Sequence, residues 1–181
     1  MGQYYKPVNI KDNSYVYSHD YGSGLKLTEH SWLGNDFVGS IMTLLKPDGD
    51  WFQKPIVWAG DYYGDSEGEI DYYGQAKSKL KNIPSMSEQE QEHSILVNYD
   101  KKEYVVLSNL PRTKTAWASD DLRCHPLPLL TALGNNRGGG DYYDKNPDFD
   151  KVGRWAKDRI GVLQEIPDSF TESKVAFELV D

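Results

Sequence analysis

The stretch HSILVNYDKKEYVVLSNL, His93 to Leu110, decides the fold class. Two runs rich in β-branched and aromatic residues flank Asp100-Lys101-Lys102, the pattern of a β-hairpin with a short polar loop. Working outward, QYYKPVNI (residues 3–10) and YVYS (residues 15–18) alternate large apolar with polar residues around a KDNS turn, which reads as a second hairpin. Leu25 and Leu27 alternate after two closely spaced glycines and suggest a further strand. KPIVWAG predicts a short buried strand over Ile56–Trp58, RIGVLQEI another, and KVAFELVD a final element.

Helical spacing interrupts these strands at three places. Asn35 is an expected N-cap before Val38, Ile41, Met42 and Leu45, which recur at three- and four-residue steps until Pro47. Ala76, Leu80 and Ile83 share a face of a helix expected from about Asp71 to Ile83, stopped by Pro84. In HPLPLLTALG, Pro128 suits a first helical turn and Gly134 a C-terminal cap. Strands and helices do not alternate as βαβ units would. The chain therefore reads as one α+β domain over residues 1–181, with a mainly antiparallel sheet and two to three helices.

The chain has 181 residues and a formal net charge of −8, and its basic residues are scattered along the sequence. That pattern argues against polymer nucleic acid, duplex nucleic acid included, as a partner, because phosphate binding gathers Lys and Arg on one face. One small phosphorylated ligand needs only one or two cations. The single cysteine, Cys124, cannot form an intramolecular disulfide, and no apolar run reaches membrane-spanning length. The expectation is a cytoplasmic protein without a membrane partner.

The strongest functional motif is GNNRGGGDYYD, Gly134 to Asp144. Consecutive glycines let backbone N–H groups turn inward around an anion, and Arg137 can clamp a phosphate or carboxylate in bidentate fashion. Gly138, Gly139 and Gly140 would supply the amides. Asp141 would accept from a ribose hydroxyl or base amine, and Tyr142 or Tyr143 would stack on a ring. The spacing is neither a P-loop nor a GxGxxG fingerprint, and a solvated surface loop is the competing reading. Trp58 and Asp61, from the second motif WAGDYYGDSEGEIDYYG, complete the candidate ligand-binding set.

Other constellations carry less chemistry. Asp61, Asp65, Glu67, Glu69 and Asp71 crowd one loop but miss the EF-hand spacing, so no metal site is expected. DYY occurs three times, at Tyr62-Tyr63, Tyr72-Tyr73 and Tyr142-Tyr143. Adjacent tyrosines in an extended chain would split between core and surface. His19, His30, His93 and His125 have no metal-site spacing, and Cys124-His125 is a weak nucleophile–base pair. WAGD at Trp58 and WAKD at Trp155 read as two tryptophans closing one core. No cofactor and no catalytic residue is assigned.

GQYYK, HDYGSGLKLTEHSWLGN, WAGDYYG and HPLPLLTALGNNRGGGDYY with VGRWAKDRI resemble a family of small uncharacterised proteins of bacteria and their phages or mobile elements. The resemblance spans most of the chain and implies one domain and a phage or mobile-element setting. It supplies no activity. The leading expectation is non-enzymatic binding of a small phosphorylated or nucleotide-like ligand, as by a phage protein that sequesters a host nucleotide signal. The alternative is an interaction module whose acidic, tyrosine-rich surface covers a host protein. A nucleotide hydrolase is a third reading, and a homo-oligomer is compatible with each.

Overall fold

The computed structural model describes residues 2–114, 121–135 and 146–178. Strands β1 (Tyr5–Asn9) and β2 (Ser14–Tyr15) form the first hairpin, with Val8 opposite Tyr15. A 3₁₀ turn (Ser18–Tyr21) leads to α1 (Leu27–His30) and α2 (Asp36–Leu45). The Asn35 side chain accepts the Val38 N–H, so the expected cap of α2 forms as read. Strand β3 (Lys54–Gly60), α3 (Tyr72–Gln75), β4 (Ser78–Lys79) and α4 (Glu88–Glu92) follow. The deciding hairpin is β5 (Ile95–Asn98) and β6 (Glu103–Val106), closed where Asn98 Oδ1 accepts the Asp100 and Lys101 amides. Then come α5 (Pro126–Leu130), β7 (Ala132–Leu133), β8 (Arg159–Leu163) and β9 (Thr171–Glu172).

The strands join one sheet in the order β4-β2-β1-β3-β8-β5-β6-β9, with β7 added alongside β3. Its long ladders are antiparallel, whereas β2·β4, β3·β7 and β6·β9 run parallel. The fold is thus α+β, with a mixed sheet. Five α-helical segments occur among the described residues, and only α2 exceeds five residues.

Three local expectations give way for identifiable reasons. Leu27 begins α1 instead of continuing a strand, although Leu25 O still accepts the Tyr5 amide. The helix expected over 71–83 stops at Gln75. Beyond it the Lys77 and Ser78 amides donate to Asn13 O and the Leu80 amide to Tyr15 O, so pairing with β2 replaces helical bonding. Helix α5 ends at Thr131, whose carbonyl accepts the Trp58 amide at 2.8 Å. Gly134 therefore caps no helix. It packs against Tyr5 and Gln3, where a Cβ would collide with both side chains.

The main core lies between α2, α5 and one face of the sheet, around Phe37, Ile41, Trp51, Trp58, Leu96 and Trp155. Trp58 and Trp155 are both fully buried in it, as the WAGD and WAKD echo suggests. Every residue of β1 is buried, so the sheet is covered on both faces there. The second face carries a separate, smaller apolar cluster of Val8, Val57, Ala59 and Ala76.

Candidate functional site

Pleating alone sends Tyr5 to the main core and Lys6 to the opposite face. On that outer face α3 packs against β1 and β3, starting where Asp71 accepts the Gly74 amide at 2.7 Å. Its tyrosines, Tyr72 and Tyr73, pack with Ile10 and Tyr15 on the small cluster. Between them lies a buried cation. Lys6 Nζ sits 4.1 Å from the Tyr15 ring centroid, 4.3 Å from that of Tyr73 and 3.5 Å from Ala76 O. Burial holds the Lys6 ammonium below its ordinary pKa, and the charge of Lys77 adds to this against Asp71.

The cluster extends in both directions along the face. Toward the end of β3, Asp61 and Tyr4 clasp each other's backbone: Tyr4 N–H donates to Asp61 Oδ1, and Asp61 N–H to Tyr4 O, both at 2.9 Å. Burial pushes the Asp61 carboxyl up despite the Tyr4 amide. The Tyr73 phenol is pushed up to about 12, first by burial, then by Asp61 and the phenols of Tyr17, Tyr15 and Tyr4. Toward β4, Lys79 Nζ binds the Asp20 carboxylate at 2.8 and 3.0 Å and lies 5.1 Å from the Tyr17 ring. The arrangement can present aromatic faces to a planar ring and ammonium groups to an anion.

Of the residues expected to touch ligand, Arg137, Gly138, Gly139, Gly140, Asp141, Tyr142 and Tyr143 lie outside the described residues. The preceding chain is anchored where the Asn135 amide donates to Gln3 Oε1 at 3.2 Å. Asp61 belongs to the cluster. Trp58 is wholly buried, its indole N–H given to His30 Nε2 at 3.0 Å and its ring against Phe37, so its side chain serves the core. The rule that paired tyrosines split across a pleat does not apply to Tyr72-Tyr73, because they occupy a helix and both stay half-buried.

The histidines and acidic loop offer no competing centre. His125 Nδ1 accepts the Leu127 amide while its Nε2 lies 3.2 Å from Met42 Sδ, so both nitrogens are committed away from any Cys124–His125 dyad. His93 is exposed, with Nδ1 on Gln89 O. Among the described residues, no three His, Cys, Asp or Glu side chains gather as a metal site. No described helix is long and apolar enough to cross a membrane.

A hollow of about 1050 Å³ lies elsewhere, between Lys46, Met86 and His93 on one side and Val162, Gln164 and Ile166 on the other. Its mixed walls bring together no buried cation and no stacked rings, so size alone does not make it the site. Lys6, Tyr15, Tyr17 and Lys79 are the residues that sequence reasoning missed. The available signals were a lysine inside an otherwise buried strand and a lysine at every second position after Ala76. No family model, curated protein or solved structure matches this chain.

Proposed function

We propose that the protein binds a small phosphorylated, nucleotide-like ligand without transforming it. The observation that carries this reading is the meeting of Lys6 and Lys79 with Tyr15, Tyr17 and Tyr73, in a protein of net charge −8. Tyrosine rings stack on nucleobases irrespective of sequence, and lysines neutralise phosphate as point charges. Lys6 is spent on holding Tyr15 and Tyr73 in place, and Lys79 is paired with Asp20. That leaves Lys77, exposed and in no ion pair among the described residues, as the phosphate's first partner on this face. Arg137 and the glycines after it, assigned from sequence, would add a second anion contact. In a phage or mobile-element setting such a binder acts by withdrawing a nucleotide signal from host proteins.

Isothermal titration against nucleoside monophosphates, cyclic nucleotides and ADP-ribose tests the reading. Binding by the wild type, weakened at least about tenfold by Tyr17→Ala or Arg137→Ala, supports it. No binding anywhere in the panel contradicts it. One observation favours an interaction module as the second reading: Tyr4 and Ile70, 42% and 48% exposed, stand beside the acidic loop. That reading predicts capture of a host protein by the wild type, unchanged by Arg137→Ala.

A further inference from the structure

The same face also indicates the length of its ligand, an inference that rests on nucleotide-like binding there. Lys77, Lys79 and Lys81 occupy alternate positions about the two-residue strand β4, and alternate residues of a strand share a face at a repeat of roughly 7 Å. The Lys77 and Leu80 amides, bonded to Asn13 O and Tyr15 O, hold this segment parallel to β2, with Lys79 directly opposite Tyr15. The neighbouring stretch carries Tyr15 and Tyr17, whereas Tyr21 packs against Phe37 in the main core and its hydroxyl donates to Ile83 O at 2.8 Å. Two ring contacts join lysines to this stretch: Lys6 lies over Tyr15, and Lys79 over Tyr17. Lys79 and Lys81 line a hollow of about 430 Å³ with Asp20 and Tyr21. Ammonium groups thus run beside the rings of Tyr15 and Tyr17.

We infer that this face takes a short single-stranded oligonucleotide, of about two to four nucleotides, in preference to a mononucleotide. Successive phosphates of an extended strand repeat on the same order as the lysines, and the bases then meet the rings of Tyr15 and Tyr17. Asp20 and Asp71 oppose the anion, Asp20 through its pair with Lys79 and Asp71 through its effect on Lys6. Phosphate contact therefore falls mainly to Lys77 and Lys81, both exposed. The strip is one strand wide and flanked by these carboxylates, which disfavours the two phosphate rows of a duplex.

The test is calorimetric titration with AMP and with tetra-adenylate, from about 50 to 200 mM salt, on the wild type and on the Lys77→Ala/Lys81→Ala double variant. Single strands lose affinity with a log–log slope of about −0.7 per phosphate contact, so three contacts give about −2 and the double variant about −0.7. The expected result is tetranucleotide binding at least about tenfold tighter than AMP, with the advantage lost in the variant while its melting temperature is unchanged. Equal affinity and equal salt slope for AMP and tetranucleotide overturn the inference and leave the mononucleotide reading standing. Preferential tetranucleotide binding that the double variant retains also overturns it, by removing the lysine row from the interface. Binding of neither probe overturns the inference, and the wider panel of cyclic nucleotides and ADP-ribose then decides the mononucleotide reading separately.

Discussion

The indole N–H of Trp58 donates to His30 Nε2 at 3.0 Å, and His30 Nδ1 lies 3.0 Å from Gly24 O. His30 is therefore the Nδ1–H tautomer, neutral and fully buried, with Phe37 edge-on to both rings. This pair ties α1 to β3 beneath the candidate site. Removing the donor leaves a buried acceptor unsatisfied and a cavity besides. Trp58→Phe is expected to cost about 2–4 kcal/mol in urea unfolding.

Two buried histidines make stability depend on acidity. Burial lowers His30 to about 4 and His125 to about 3, from an ordinary 6.5. As pH falls below 6.5 the unfolded chain takes up two protons that the folded one refuses. Their contribution is complete above that value and is lost on acidification until about 4 for His30 and 3 for His125. Each histidine gives a slope of about 1.4 kcal/mol per pH unit within its window. Urea melts between about pH 6 and pH 5 should show about twice that, and His125→Asn about half of the wild-type slope.

The chain reverses beside β7 at Gly153, where φ is +77° and its amide donates to Leu129 O at 2.8 Å. A Cβ there would stand 2.6 Å from Ala132 O. Gly153→Ala is expected to destabilise by about 2 kcal/mol or more, from the left-handed backbone and the carbonyl clash together. A melting temperature equal to the wild type's would contradict the placement of that turn.

Lys6 separates packing from charge on the outer face. Its stem covers apolar surface while its ammonium faces two rings. Lys6→Met keeps the stem and should cost about 1 kcal/mol, whereas Lys6→Ala should cost about 2–3 kcal/mol, by thermal or urea melts. A Lys6→Met variant as stable as the wild type would mean that the cation contributes nothing, and equal costs for the two variants that the stem contributes nothing.

Much of this fold is legible in the sequence, because hairpins and caps are local. Alternation about Asp100-Lys101-Lys102 and the Asn35 cap need only near neighbours, and both form as read. The segment after Asp71 carries two periods at once. Ala76, Leu80 and Ile83 match a helix, while Lys77, Lys79 and Lys81 match a strand. Pairing with Asn13 and Tyr15, over sixty residues away in sequence, selects the second. The same long-range pairing hides the candidate site: Lys6, Tyr15, Tyr73 and Lys79 are separated in sequence, and the sheet order brings them together. The scattered basic residues are a property of the chain, and their gathering is a property of the fold.

The central claim places a nucleotide-like ligand on the Lys–Tyr face. Tyrosine-ring NMR resonances, assigned by single Tyr→Phe variants and followed during titration with AMP and tetra-adenylate, test it most directly. The account predicts shifts at Tyr15, Tyr17 and Tyr73, with Tyr99 and Tyr104 on the far hairpin unmoved. Shifts confined to other tyrosines, or none at saturating ligand, would contradict it.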